Sequence, residues 1–544
     1  MEALVSAVVG DLISRTISFA VDRCCHRRRK AGGTEDGPQR LRRVLLRVQL
    51  VVEEADRRHV TNQAMLRQLQ LMREGVYRGY YLLSALSHRR RRRRRRHQEQ
   101  GVITQDGAAQ DGEVSRHDRS FALSQFNPAK RLCTSTISSV MKKTTTSTAA
   151  SDGARHEGGA EAELEEVLNG LERMASDMKE LVVLLSCYPP TRREPYSAHL
   201  WLERRMFGRE AELERIIGFL LEPEPAHAED PAVLPVIGRA RVGKSTLVEH
   251  VCFDDRVRSH FSMIVFFGEG DVVNKHGGEH NGGITKHRDD RGSAGKSLVV
   301  IELAGEVDEL HAWWRRTLST RRGQLISPSP VSKIIVTSRS EKIASLGTTQ
   351  ALELKPLPRE AYWYFFKTMA FGSTDAEDQP ELGSACMEIA DLLNRSFIAA
   401  NLFGVLLRAN PCPRFWHKVL EGFKHYTSMH VLLFGEHPSD LLANDRPVCL
   451  WRLPAETSGV LVAYSCYQSC SGQHHDMPKI TLNDVHIGSA TPPRGKFQLL
   501  AWRSHIPPCY SYFMNCGVQT SSTLFRIPSG NKQNRHRQAL LNSM

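Results

Sequence analysis

The stretch that most restricts how this chain can fold is residues 233–250, VLPVIGRARVGKSTLVEH. Its apolar run Val233, Leu234, Val236 and Ile237 predicts a buried strand, and residues 246–250 predict the body of a helix. Between them Gly238 and Gly243 bound a loop that closes on Lys244 and Ser245, the pattern G-x-x-x-x-G-K-[ST]. Each part has a physical task. The glycines permit backbone angles that turn successive N–H groups toward phosphate oxygens, and the helix behind them offers its positive end to the same anion. Lys244 reaches the outer phosphates and the Ser245 hydroxyl suits Mg²⁺. A chance match in a glycine-containing loop is the alternative; a strand before and a helix after weigh against it.

Composition narrows the setting. A chain of 544 residues has room for about three or four domains. Its 41% hydrophobic and 24% charged content is that of a soluble globular protein. The net charge of +13 gathers largely in local arginine runs, so it says little about the folded domains. No apolar stretch approaches the roughly 20 residues needed to cross a bilayer. Glu2, Asp11 and Arg15 interrupt the N-terminal apolar pattern, which argues against a signal peptide. Twelve cysteines without framework spacing point to a reducing compartment, the cytoplasm or the nucleus.

Along the chain, Leu4, Val5, Val8, Val9, Leu12, Ile13 and Ile17 fall at helical spacing. Two further stripes follow, Leu41, Val44, Leu45, Val48, Val51, Val52 and Ala55, then Met65, Leu66, Leu69, Met72, Val76 and Tyr80. A fourth seam runs from Leu164 through Val167, Leu171, Met174, Met178 and Leu181 to Leu185. Such faces need one another, so residues 1–87 and 160–188 predict a helical bundle. Between them, 88–159 reads as a low-complexity insertion that opens with eight arginines, Arg89 to Arg96. An RNA contact or a nuclear import signal is the alternative for that run, although no aromatic residues interleave it.

Residues 200–345 predict the phosphate-loop domain, with further strands at Phe261–Phe267, Leu298–Ile301 and Ser332–Arg339. Strands alternating with helices imply a parallel sheet whose ligands sit at the carboxyl ends of the strands, where Gly238, Glu302 and Arg339 lie. Residues 268–296 read as a long exposed loop; His276, His280 and His287 within it lack the fixed spacing of a metal site. Residues 346–410 predict a small helical domain. Residues 427–518 predict a β-containing region, with strands at Val460–Tyr464, Ile480–Ile487 and Phe497–Trp502. Cys466 and Cys470 with His474 and His475 leave a zinc reading open there, without the second spaced pair such a site needs. Residues 519–544 read as a disordered tail. The fold class expected is multidomain α and α/β: an N-terminal helical bundle, a P-loop NTPase-type parallel three-layer α/β domain, a small helical domain and a β-containing C-terminal region.

Several of these segments in this order, Phe207-Gly208-Arg209-Glu210, GRARVGKSTL, FDDRVRSHF, the strand before Glu302, KIIVTSRSEKIA and LELKPLPREAYWYFFKTMAFG, resemble the NB-ARC nucleotide-binding domain of plant coiled-coil NLR immune receptors. The N-terminal helices resemble the Rx-type domain of that class. The resemblance implies ADP or ATP as ligand, with Phe207, Gly208 and Arg209 on the adenine side and Gly238, Val242, Gly243, Lys244, Ser245 and Thr246 about the phosphates. It implies Mg²⁺ held through Ser245 and Glu302, and Arg339 facing the γ-phosphate. It also implies protein partners, including self-association, through the N-terminal helices; the arginine run, without aromatics or a recognition module, does not point to nucleic acid.

The departures bear on activity. Where the family has further glycines this loop has Ala240 and Arg241. The acidic pair that ends the family's strand is Glu302-Leu303 here, so the second carboxylate is missing, with Glu306 and Asp308 nearby. Ser396-Phe397-Ile398-Ala399 replaces the family's glycine-leucine-proline-leucine turn, and neither a Met-His-Asp signature nor a leucine-rich repeat period is found. These changes favour binding over turnover, because hydrolysis depends on positioned water and neutralised charge. The expected function is a nucleotide-binding immune receptor-like switch or signalling modulator in defence. An active P-loop ATPase and a non-hydrolysing scaffold or decoy are the alternatives.

Overall fold

The computed structural model describes residues 37–105, 152–189, 206–223, 231–268, 284–288, 296–303, 331–374, 376, 378–444, 446–452, 460–469, 478, 480–493, 495–507 and 509–519. The helix expected from Leu4 lies outside them, as do His276, His280, Cys470, His474 and His475. By internal contacts the chain divides into two units, residues 1–50 with 78–179, and residues 51–77 with 180–544.

Helices α1 (Gly37–Asp56), α2 (Gln63–Gln105) and α3 (Asp152–Ser186) run through both units. In the first unit their apolar stripes are buried at Leu41, Val44, Leu45 and Val48, at Leu82 and Leu83, and at Val167, Leu168 and Leu171. Gly79 is small for a packing reason: a Cβ there would lie 2.5 Å from the Leu45 side chain. The guanidinium of Arg40 grips Glu172 with two parallel bonds of 2.8 and 2.6 Å. Helix α2 does not stop where the insertion is expected at residue 88; Arg89 to Arg96 continue it to Gln105. Arginine is a good helix former, so the run extends the helix that precedes it.

The second unit holds the α/β domain. Its elements in order are α4 (Glu210–Leu221), β1 (Ala232–Ile237), α5 (Lys244–Cys252), α6 (Asp255–His260), β2 (Met263–Phe267), β3 (Ile284–Arg288), β4 (Ser297–Leu303), β5 (Val331–Ser338), a 3₁₀ turn (Glu341–Leu346) and β6 (Leu352–Glu353). The strands form one sheet in the order β3-β2-β4-β5-β1-β6. All neighbours are parallel except β2 with β3. Strand β3 corrects the expected loop over 268–296: residues 284–288 complete the sheet edge, with Ile264 opposite His287. Nothing in that glycine- and histidine-rich segment announces a strand; backbone pairing to β2 creates it.

Alternation along each strand sends side chains to two faces. Leu234, Val236, Leu298, Val300 and Ile335 pack with Ile216, Leu247, Val251 and Val257 from α4, α5 and α6. Val233, Ile237, Val299, Ile301, Ile334 and Val336 face the other way, against Ile343.

Helices α7 (Arg359–Phe371), α8 (Pro380–Leu392), α9 (Phe397–Ala409), α10 (Pro413–Phe434) and α11 (Pro438–Ala443) follow. Residues 427–434, expected within the β region, are thus the end of α10, which stops at Gly435 with φ of 75°. Buried Trp416, Val419, Leu420 and Phe423 carry a 3.6-residue stripe through it.

The C-terminal strands β7 (Val448–Cys449), β8 (Val460–Ser469), β9 (Lys496–Arg503) and β10 (Ser511–Gln519) form an antiparallel sheet in the order β7-β8-β10-β9, with α12 (Leu482–Ile487) packed on it. Helix α12 corrects a strand expected at Ile480–Ile487. Thr481 and Asp484 form a capping box there, each side chain bonded to the other's backbone N–H. Strand β10 is unpredicted. Among the described residues no group of three or more His, Cys, Asp or Glu side chains could hold a metal ion. No described helix is long and apolar enough to cross a membrane.

Candidate phosphate-binding site

The parallel register decides which side chains can meet. Ile237 pairs with Ser338 across β1 and β5, and Glu302 pairs with Thr337 across β4 and β5. The carboxyl ends of three adjacent strands therefore deliver Gly238, Glu302 and Arg339 to one edge of the sheet. Strand β1 is also where the strand order reverses, the chain leaving it toward β2 on one side and placing β6 on its other side.

The loop from Gly238 wraps this edge. Gly243 caps α5 with φ of 97°, a left-handed angle that L side chains resist. Gly238 is small for another reason: a Cβ there would lie 2.6 Å from the Leu354 carbonyl oxygen. Arg241, standing where the family pattern has glycine, takes φ of 59°, which stores about 1–2 kcal/mol in the loop. Val242 turns inward, 7% exposed, into the core shared with Leu247 and Leu354.

Lys244 folds back over the loop, its Nζ donating to Gly238 O at 2.7 Å and to Arg239 O at 2.9 Å. Burial, with Arg339 close by, lowers its ammonium to about 8, and Glu302 opposes that shift. The Ser245 hydroxyl donates to the Glu302 carboxylate. Hydroxyl and carboxylate so placed are a hard-oxygen pair of the kind Mg²⁺ takes. Beside Glu302, Leu303 is 7% exposed and apolar, so the strand end offers a single carboxylate. Glu306 and Asp308 lie outside the described residues.

The turn before α4 borders the loop through Met206, whose methyl lies 3.8 Å from where a Cβ on Gly243 would stand. The side chains expected on the adenine side are engaged in packing. Phe207 is 5% exposed, its ring centroid 5.4 Å from Tyr77 and 5.3 Å from Phe365. Phe365 in turn meets Phe397 edge-on at 5.5 Å, in the segment that replaces the family's proline-containing turn. Gly208 takes φ of 66°. The Arg209 guanidinium donates to Lys355 O at 2.6 Å and pairs with Glu212 at 3.2 Å. From α2, buried Arg73 pairs with Asp56 and, at 3.5 Å, with Glu210.

A second set of residues reaches α5 from the C-terminal sheet, and the sequence reading does not find it. Tyr510 donates its hydroxyl to the Glu249 carboxylate, both side chains being buried. His250 Nδ1 lies 3.1 Å from Pro507 O, and the Tyr512 side chain stands beside Thr246. No motif links these aromatics to a loop so distant in sequence; only the tertiary fold brings them there.

A parallel sheet whose first strand runs through a G-x-x-x-x-G-K-[ST] loop into a helix, with serine and acidic oxygens meeting beside the lysine, defines a P-loop-type α/β protein. Over about half its length this chain is a homologue of plant disease resistance proteins. It is 25% identical over 246 residues to a disease resistance protein of Arabidopsis thaliana, covering 41% of this chain and 16% of that one. It is 25% identical over 330 residues to disease resistance protein RGA1 of Solanum bulbocastanum, covering 56% and 29%. To disease resistance protein RGA2 of the same species it is 25% identical over 273 residues, covering 48% and 25%. The chain thus spans less than a third of the length of these relatives. No family model matches the chain. Among solved structures, a chain from the Drosophila ORC bound to DNA overlaps 43% of this chain and 64% of its own, at 12% identity and a TM-score of 0.21. So low a score carries no argument, and the fold is read from the strand order itself.

Proposed function

We propose that the protein binds ADP or ATP at the β1–α5 loop and acts in plant defence as a nucleotide-dependent switch or signalling modulator. The observation that carries this reading is the meeting of Lys244, Ser245, Glu302 and Arg339 at one sheet edge. Relatedness to disease resistance proteins supports the setting.

In this reading the loop N–H groups and the first turn of α5 cradle the phosphates, and Lys244 leaves its two carbonyl partners to reach the outer phosphate. Ser245 and Glu302 hold Mg²⁺, which neutralises phosphate charge when bound. Arg339 adds a second cation on the same side, where a γ-phosphate distinguishes ATP from ADP. With a single carboxylate at the end of β4, binding is retained and turnover is slow. The helices of the first unit hand the change to protein partners, including other copies of the chain, in the cytoplasm.

Titration with a fluorescent ADP analogue tests the reading. Wild-type protein is expected to bind it, and Lys244→Ala to lose that binding; equal affinities would overturn it. A scaffold that no longer uses nucleotide is the second reading, favoured by the packing of Phe207 against Phe365 and Tyr77. It predicts partner binding indifferent to Lys244→Ala.

A further inference from the structure

We infer that the phosphate site is bipartite, its second half being the β9–β10 hairpin of the C-terminal sheet, with Tyr512 and Tyr510 as positioning residues for α5. The inference rests on the nucleotide reading above and adds the residues that govern how long a nucleotide stays.

The argument starts from helix spacing. Thr246, Glu249 and His250 stand at i, i+3 and i+4 on α5, which places them on one face of that helix. Each meets the hairpin: Thr246 meets Tyr512, Glu249 meets Tyr510, and His250 meets Pro507. Contacts at helical spacing mark a face built for its neighbour. Glu249 sharpens the point. A carboxylate 4% exposed is costly to bury without a donor, and the donor comes from the hairpin.

The hairpin is itself rigid where it touches. Tyr512 stacks on Trp502 of the adjoining strand, with centroids 5.6 Å apart and planes 20° from parallel. Tyr510 meets Tyr512 edge-on at 6.4 Å. Ser504 N–H closes the turn on Tyr510 O at 2.7 Å. The Tyr512 hydroxyl is therefore held at the first turn of α5, where helix N–H groups draw an anion. Thr246 follows Ser245 directly, so a phosphate seated on that turn shares its neighbourhood with Tyr512. Release of the nucleotide then requires α5 and the hairpin to part, and nucleotide in turn holds the hairpin in place.

The experiment uses the full chain and the fluorescent ADP analogue, with Tyr512→Phe and Tyr510→Phe, which keep ring size, and with circular dichroism melting as the folding control. Dissociation of the analogue is expected to quicken about fivefold to tenfold in each variant while the association rate moves less than about twofold. ADP is expected to slow amide hydrogen exchange of residues 504–512 in the wild type and not in the variants. If Lys244→Ala abolishes binding while both tyrosine variants release the analogue at the wild-type rate, the bipartite site is refuted and the nucleotide reading stands. If the wild type binds no analogue, both fall together.

Discussion

Gly238→Ala tests the architecture of the loop most directly, because its effect follows from one close approach. The backbone angle at Gly238 is open to any residue, since it is not among the positive-φ glycines. On that ground alone alanine would stabilise by about 0.4–1 kcal/mol, through a less flexible unfolded chain. Space decides otherwise. The new Cβ would lie 2.6 Å from Leu354 O against a floor of 3.0 Å, so the two backbones must part by at least 0.4 Å. Neither is free to move, since Gly238 N–H is bonded to Ser338 O at 3.2 Å and Leu354 N–H to Ile237 O at 2.7 Å. Overpacking of this kind costs about 1–3 kcal/mol, which leaves a net loss centred on about 1.3 kcal/mol and reaching about 2.6 kcal/mol. The loop that holds phosphate is the part that must shift, so nucleotide affinity falls about tenfold, worth about 1.4 kcal/mol. Arg241→Gly moves the other way: relief of its left-handed strain exceeds the flexibility gained by the unfolded chain, for a net gain of about 0.5–1 kcal/mol. The assay is amide exchange of β1 and β5 in nucleotide-free protein, with titration of the fluorescent ADP analogue alongside. Wild-type exchange and affinity in Gly238→Ala would refute the close approach of loop and β6 segment.

Two further outcomes follow from buried charge. Arg73→Met removes the buried cation that pairs with both Asp56 and Glu210, so exchange of the α2 amides near residue 73 should report a loss of about 2–3 kcal/mol, partly recovered by adding Glu210→Gln. A loss below about 0.5 kcal/mol would show that these carboxylates do not depend on Arg73. His486 lies buried among Phe403 and Trp451, and burial lowers its imidazolium to about 4. The folded state there binds fewer protons than the unfolded chain, so its stability is full above pH 6.5 and declines as pH falls toward 4, by about 3 kcal/mol in all. Urea unfolding followed by tryptophan fluorescence measures this, and His486→Leu, compared with wild type across that window, isolates it from His430 and His437, whose imidazoliums burial also lowers. An unchanging difference between the two proteins would refute it.

Elements whose chemistry is local can be read from the residues alone. The glycine-bounded loop, Lys244 and Ser245 follow from a contiguous motif, and the buried stripes of α1, α2 and α3 follow from a 3.6-residue period that any amphipathic helix must carry. Continuous apolar runs mark β1, β2, β4 and β5 because a parallel sheet is buried on both faces. Tertiary structure decided what depends on pairing across the chain. Strand β3 exists because β2 offers it an edge, and Leu482–Ile487 became a helix because Thr481 and Asp484 cap it, where an apolar pattern that short suits either state. The same holds for the site. That Glu302 reaches Ser245 depends on register between strands, which no local pattern specifies. That Tyr510 and Tyr512 stand over α5, and that Phe207 is engaged by Tyr77 and Phe365, depends on how separate layers pack. Contacts of that kind are set by the shapes of two surfaces together, and a linear sequence carries only one side of each at a time.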